Sequence, residues 1–287
     1  MITVHLQKLV AAGMALVVAL GAPTLADSRH WGMAGCSRTR VSEEYTAVRY
    51  VDANQVDDLR IEWNVGSASV VVVGDSKLGG QIAISETAPE GWSDMPHMTI
   101  EGKGGELVVR YGDLEPSFTP SPAAREKTLT ITLPRSCANR LRTVTVSGSS
   151  GEYALEDITC ETLSAHFEAG VMKAKDVAVR DLKCSASSGH IGFDGTVSSS
   201  IDVCVTSGTA RVRTDTTPKK ANLEASSGTV ELLLPRDAGF TAQVKVGAGS
   251  FDCDFKTAER DGRLVAGDGG MSLNMSVSSG TAHIGKR

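Results

Sequence analysis

The chain has 287 residues, of which 41% are hydrophobic, 5% are aromatic and 30 are glycines. This aliphatic, glycine-rich composition favours an all-β protein with many turns. The formal net charge is −5 at pH 7 and the basic residues are scattered along the chain, which excludes the concentrated basic surface of a nucleic-acid-binding protein.

The first 26 residues are typical of a secretory signal peptide. Lys8 is followed by an uncharged, apolar run from Leu9 to Ala26 that ends in small residues, as signal-peptide cleavage requires. The run is also long enough for a short membrane span, so an uncleaved N-terminal anchor is an alternative. A second alternative is a lipoprotein, because the Met33–Cys36 sequence resembles a lipoprotein box that ends in a cysteine. The sequence predicts an exported protein, secreted or associated with the cell envelope.

Residues 27–44 are predicted to form a linker, and residues 45–287 a single domain. Apolar and polar residues alternate from Leu59 to Val65, which indicates a half-buried strand. Strands are predicted over residues 59–73, 81–85, 98–111 and 128–133. The polar stretch 40–58 is predicted to be a connector or a cap. Of the two proline-containing segments, 88–98 is predicted to be a loop and 112–127 an exposed loop.

The second half of the chain repeats a unit in which two short strands meet at a glycine. These glycines are Gly151, Gly170, Gly189, Gly208, Gly228, Gly249 and Gly280. Subtraction of their numbers gives spacings of 19, 19, 19, 20, 21 and 31 residues. A serine or an alanine precedes each glycine, as a tight corner requires.

Apolar residues form four columns in this repeat, at positions −5, −3, +2 and +4 relative to the glycine. The apolar residues occupy odd-numbered offsets before the glycine and even-numbered offsets after it, so the alternation shifts by one residue at the glycine. A strand that changes phase must bend or bulge, and glycine allows the positive φ of such a corner. We expect Val203, Val205, Ala210 and Val212 in the core, and Arg211 on the outer surface.

Repeats of about 19–21 residues with inward aliphatic columns predict a single-domain β-solenoid, that is, a parallel β-helix. A flat β-sandwich is the alternative, although sandwich strands vary in spacing and rarely repeat one phase slip. Right-handed coiling is expected because parallel crossover connections are right-handed in nearly all proteins.

Four features in a fixed order carry a family resemblance. They are the opening strands at 59–73, the Thr-Leu-Pro-Arg sequence at Thr132–Arg135, the Ser-Ser-Gly or Thr-Ser-Gly corners, and a second Leu-Pro-Arg at Leu234–Arg236. With them, the region from about Tyr45 to Ile284 resembles the bacterial putative-adhesin family, a β-solenoid domain formerly of unknown function. The resemblance implies an exported or membrane-anchored surface protein, in some members linked to envelope stress, and it supplies no catalytic residues.

The sequence indicates no cofactor, metal or catalytic site. The six histidines show no metal-ligand spacing, and His166, His190 and His283 are predicted to lie on the surface. Charged residues at position +3, such as Arg211 and Asp252, are expected to form a solvated row. The six cysteines include no CxxC pair. Single buried thiols are favoured over disulfides, which an exported protein could form.

The best binding candidates are aromatic residues in or beside the predicted loops, Trp92, Tyr111 and Phe118. A surface protein or a glycan is the expected partner, and packing of these rings against the solenoid is the alternative. The sequence thus predicts a non-enzymatic, adhesin-like surface module. Two other functions stay open: a scaffold that self-associates end to end through an uncapped strand after Gly280, and a polysaccharide-active enzyme, which would need clustered acid and base groups.

Overall fold

The computed structural model describes residues 34–41, 44–89, 96–112 and 122–287, which form one sheet of 15 strands. The strands are β1 (Ala34–Val41), β2 (Glu44–Asp52), β3 (Asp58–Glu62), β4 (Ser67–Val73), β5 (Gln81–Pro89), β6 (Thr99–Lys103), β7 (Glu106–Arg110), β8 (Thr128–Pro134), β9 (Leu141–Glu156), β10 (Thr159–Thr214), β11 (Lys220–Leu234), β12 (Phe240–Cys253), β13 (Thr257–Arg260), β14 (Arg263–Ala266) and β15 (Met271–Lys286). The helices are α1 (Pro122–Glu126) and α2 (Arg135–Ala138), with 3-10 turns at Ala53–Gln55 and Asp75–Lys77. The prediction of an all-β fold is confirmed. None of the helices in the described part of the chain has the length and apolar character of a membrane span.

The repeats lie side by side in parallel, with their glycines in register. Gly170 pairs with Gly151, and Gly228 pairs with Gly208. A side-chain carbon added to Gly208 would lie 2.1 Å from the carbonyl oxygen of Gly189. The φ of Gly208 is +146°, a conformation that other residues rarely adopt. The predicted corners are therefore stacked so closely that a side chain cannot be accommodated.

The predicted inward columns form the core. In the repeat around Gly208, Val203, Val205, Ala210 and Val212 are each 0% exposed. Burial of each large aliphatic side chain stabilises the fold by about 1.5–3 kcal/mol before the cost of chain ordering. Because the alternation shifts at the glycine, the apolar side chains before it and after it both point into the same hydrophobic core.

The last two repeats are stacked in an order that differs from their order in the sequence. Strand β15 pairs in parallel with β11 on one side and with β12 on the other, so Gly280 lies between Gly228 and Gly249. The long spacing before Gly280 contains the antiparallel hairpin β13–β14, after which the chain returns and inserts β15. Strand β12 is therefore the outermost parallel strand, and its predicted core residues Val244 and Phe251 are only half-buried. The expectation that the sheet ends after Gly280 is wrong.

Antiparallel strands cover the N-terminal end of the sheet. Strand β2 pairs with β1 and β5, and β5 pairs with β8. Most of the stretch 40–58, predicted to be a connector or a cap, is thus strand, and β1 lies within the predicted linker 27–44. The predicted export segment, residues 1–26, lies outside the described residues.

The first corner of the stack is Gly66. A side-chain carbon added to Gly151 would lie 2.5 Å from the Gly66 carbonyl oxygen, and one added to Gly66 would lie 2.2 Å from that of Lys127. Gly105, which follows a similar sequence pattern, lies instead in the turn between β6 and β7. The stack of corners therefore begins against the backbone of Lys127, whose side chain organises the candidate site.

Candidate binding site

The three aromatic residues predicted to bind a partner fall in different places. Trp92 and Phe118 lie outside the described residues, in the segments 90–95 and 113–121. Tyr111 is 1% exposed, so its ring is part of the core and is not offered to solvent. Tyr111 directly follows β7 and lies two residues before segment 113–121.

A buried ion pair lies at the base of these two segments. Glu86 on β5 and Lys127 between α1 and β8 are both 0% exposed, and Lys127 Nζ lies 2.5 Å from Glu86 Oε1. The ammonium donates hydrogen bonds to the carbonyl oxygens of Pro96 at 2.7 Å and Tyr111 at 2.6 Å. Pro96 follows the first segment and Tyr111 precedes the second, so one cation connects the ends of both.

Two aromatic rings enclose the same cation. Lys127 Nζ lies 3.8 Å from the ring centroid of Tyr111 and 4.8 Å from that of Trp63, distances at which ring faces attract a cation. The two rings meet edge to face with centroids 5.0 Å apart. The Tyr111 hydroxyl donates to the Ala124 carbonyl of α1 at 3.3 Å, so the ring also fixes this helix.

Burial perturbs the protonation equilibria of this cluster. Desolvation lowers the pKa of Lys127, and the Glu86 carboxylate acts in the opposite direction. Burial also raises the pKa of the Tyr111 hydroxyl. An ammonium has three N–H donors, and the contacts with Glu86, Pro96 and Tyr111 account for three directions around Nζ. The arrangement is suited to positioning backbone rather than to proton transfer.

Glu86 links the buried pair to the surface. Its Oε1 accepts a hydrogen bond from the backbone N–H of Met98 at 3.0 Å, and its Oε2 lies 3.8 Å from Nδ1 of His97, whose side chain is 42% exposed. The ion pair thus hydrogen-bonds Pro96 and Met98, the first and third residues after segment 90–95.

Sequence analysis missed both charged residues. Lys127 falls at the end of a segment predicted to be an exposed loop, and that prediction is wrong for this residue. The burial of Glu86 could have been predicted, because alternation along β5 places it on the same face as the buried residues Ile82, Ile84 and Ala88. Alternation therefore directs Glu86 inward, where a carboxylate needs a partner, but alternation cannot identify that partner.

Five cysteines are free thiols, namely Cys137, Cys160, Cys184, Cys204 and Cys253. Cys137, Cys160 and Cys184 are buried, as predicted, whereas Cys204 is exposed. Burial raises the pKa of Cys137 to about 11 and those of Cys160 and Cys184 to about 12. A thiol reacts as its thiolate, so these three side chains are packing residues.

Solved structures of similar fold come from bacterial proteins of low sequence identity. A "putative adhesin" from Bacteroides fragilis NCTC 9343 is 12% identical, with a TM-score of 0.52, over 84% of this chain and 97% of that chain. A "putative cell adhesion protein" from Clostridium sporogenes ATCC 15579 is 13% identical, with a TM-score of 0.43, over 85% and 100%. A "putative lipid binding protein" from Parabacteroides distasonis ATCC 8503 is 18% identical, with a TM-score of 0.42, over 83% and 96%. Identities this low bear on the fold alone.

No curated protein matches the chain by sequence. A family model described as Toastrack DUF4097 matches residues 60–284. This span begins in β3 and ends in β15, and it includes every glycine corner from Gly66 to Gly280. The match confirms the family resemblance that the sequence motifs indicate. The chain belongs to the Toastrack DUF4097 family.

Proposed function

We propose that this protein is a non-enzymatic, exported surface module of the adhesin type. In this proposal it binds a surface protein or a glycan through the segments 90–95 and 113–121. The observation that carries it is the Lys127 ammonium, which hydrogen-bonds both Pro96, just after the first segment, and Tyr111, shortly before the second. Trp92 and Phe118, one in each segment, supply the large rigid aromatic groups that dominate many binding surfaces.

The rest of the domain serves as the support for this surface. We propose that the parallel strands coil as a right-handed β-solenoid with rungs of 19–21 residues. Its support is the in-register parallel pairing of Leu141 with Cys160 and of Ser200 with Lys220, together with the right-handedness of parallel crossovers. Residues 1–26 act as the export segment, and the name of the Bacteroides fragilis relative supports a surface location.

Binding of the full-length protein to a glycan array and to immobilised envelope proteins tests the proposal. Trp92→Ala and Phe118→Ala should each weaken binding about tenfold or more and leave Tm unchanged. The matched controls Ser93→Ala and Thr119→Ala, in the same two segments, should bind like the wild type. Equal binding by all four variants would overturn the proposed surface, and release of reducing ends from a polysaccharide panel would contradict the non-enzymatic assignment.

A self-assembling scaffold is the second candidate, and the edge of β12 favours it. Strand β14 pairs with β12 only at Phe240–Ala242, while β15 pairs along β12 as far as Cys253. Among the described residues no strand pairs with the outer edge of β12 beyond Ala242, and an open edge can template another copy. Light scattering over a concentration series should then show growth that Ser250→Lys reduces. A monomeric mass at every concentration counts against this candidate.

A further inference from the structure

The insertion of β15 places an imidazole between carboxylates of both neighbouring strands. His283 lies directly opposite Glu231 of β11 on one side and Asp252 of β12 on the other. Its Nε2 is 3.5 Å from Asp254 Oδ1 and 3.9 Å from Asp252 Oδ2. Its Nδ1 is 3.4 Å from Glu231 Oε1. Residues up to 52 positions apart in the sequence thus meet on the outer face of the sheet.

Asp254 is held in place by the backbone of β15. Its N–H donates to the Ile284 carbonyl oxygen at 3.0 Å, and its Oδ2 accepts from the Lys286 N–H at 3.2 Å. The other oxygen, Oδ1, is left facing His283.

Glu231 orients the imidazole from the opposite side. Its Oε2 lies 2.8 Å from Arg211 Nε, which fixes the carboxylate and leaves Oε1 to accept from Nδ1–H of His283. In the tautomer whose Nδ1–H makes this hydrogen bond, Nε2 carries a lone pair and faces Asp252 and Asp254. Histidines that bind a metal through one ring nitrogen commonly donate the N–H of the other to a carboxylate, as His283 does here to Glu231.

We propose that His283, Asp252 and Asp254 form a binding site for a divalent transition-metal ion, with Zn²⁺ as the reference ion. Their ligand atoms all lie within 4.8 Å of one another. An ion with ligand bonds of about 2.1 Å in tetrahedral geometry sets its ligand atoms about 3.4 Å apart, so small side-chain rotations complete the site. The nitrogen ligand favours Zn²⁺, Co²⁺ or Ni²⁺ over Ca²⁺ and Mg²⁺, which prefer oxygen ligands.

The site has a structural consequence because its ligands come from two strands. His283 is on β15, while Asp252 and Asp254 lie on and just after β12, the outermost parallel strand. A bound ion therefore cross-links the inserted strand to the edge of the sheet. It also offsets the repulsion between the two aspartates, which are 78% and 45% exposed. Three protein ligands leave a coordination position for water or for a donor from a partner molecule.

The test uses the full-length protein after treatment with a chelator. Titration with Co²⁺ should produce the visible absorption bands of a low-symmetry site, and Zn²⁺ should remove them by competition. Zn²⁺ at about one hundred times its Kd should raise Tm by about 5–10 °C for a domain of this size. Ca²⁺ and Mg²⁺ at the same concentration should not raise Tm.

Substitutions distinguish this site from other metal binding. His283→Gln and Asp254→Asn should abolish the Co²⁺ bands and the Zn²⁺-dependent rise in Tm, with metal-free Tm values near the wild type because both side chains face outward. Glu231→Gln should weaken Zn²⁺ binding about 10–100-fold. The matched control His166→Gln removes another outward histidine, which contacts Ser185 at 2.7 Å, and should bind Zn²⁺ normally. An unchanged Zn²⁺ response in His283→Gln, or no response in the wild type, would overturn the proposal.

Discussion

Removal of one member of the Lys127–Glu86 pair leaves the other as an uncompensated charge in the core. We predict that Lys127→Met lowers the free energy of unfolding by about 3–5 kcal/mol, measured by chemical denaturation. The double variant Glu86→Leu with Lys127→Met should regain much of that loss, because a well-packed apolar pair avoids the cost of desolvating two charges.

An exposed ion pair provides the comparison for that experiment. Arg60 Nη2 lies 2.8 Å from Glu106 Oε1, with side chains 45% and 37% exposed. Arg60→Met should change the unfolding free energy by less than about 1 kcal/mol. If Lys127→Met cost no more than this surface variant, Lys127 would not be desolvated and the base of the two segments would not depend on it.

Asp58 gives the fold a defined pH dependence. The Arg142 guanidinium hydrogen-bonds both of its oxygens and holds the pKa of Asp58 below its usual range. Since the folded pKa is depressed, the unfolded chain binds more protons as pH falls through the ordinary value near 3.8. The stabilisation is therefore complete above that pH and is lost as pH falls through the folded pKa. Asp58→Asn should flatten the curve of unfolding free energy against pH between about 5 and 2.

Arg142→Gln serves as the partner control for this prediction. It should flatten the same curve to a similar extent, and the double variant should add little, because all three changes remove one interaction. A curve for Asp58→Asn that is as steep as that of the wild type would show that the pair does not form.

At the scale of structural elements, the corners between strands depend on glycine. A side chain at Gly208 would meet the Gly189 carbonyl oxygen at 2.1 Å and would require a φ of +146°. We predict that Gly208→Ala lowers the unfolding free energy by about 2–4 kcal/mol, from backbone strain and crowding together. Thermal and chemical denaturation would both measure this loss.

The matched control is Gly192, in the neighbouring repeat. A side-chain carbon there meets no atom closer than 3.5 Å, the Met172 carbonyl oxygen. Gly192→Ala should be neutral or stabilising by up to about 1 kcal/mol, because alanine reduces the freedom of the unfolded chain. Equal losses in the two alanine variants would mean that strand propensity, not corner geometry, explains the glycines.

These elements show what periodicity can and cannot predict. The columns around Gly208 follow from local alternation and one phase slip, so Val203 and Val212 are assigned correctly from the sequence. The pairing of Glu86 with Lys127 depends on a contact between distant segments, and no local pattern contains it. The same holds for His283 and Asp254, which meet only because β15 is inserted out of sequence order.

At the scale of the whole molecule, strand order determines which surfaces are available. If the repeats were stacked in sequence order, Glu231 would face Asp252 and the edge of the sheet would lie after Gly280. The inserted β15 instead separates these two carboxylates with an imidazole and moves the open edge to β12. The proposed metal site and the proposed self-association surface therefore both depend on one topological feature, which should be tested directly.

Engineered disulfides can test the insertion of β15. Thr229 of β11 lies opposite Thr281 of β15, and Thr281 lies opposite Ser250 of β12, with 3.4 Å between the Thr281 and Ser250 hydroxyls. In a Cys204→Ser, Cys253→Ser background, Thr229→Cys with Thr281→Cys should oxidise readily, and so should Thr281→Cys with Ser250→Cys. Thr229→Cys with Ser250→Cys should stay reduced, because two strand spacings separate these positions by about 9.6 Å and a disulfide spans at most about 7 Å between Cα atoms. Oxidation of this last pair alone would show that β12 lies directly on β11 and would remove the basis for both proposed surfaces.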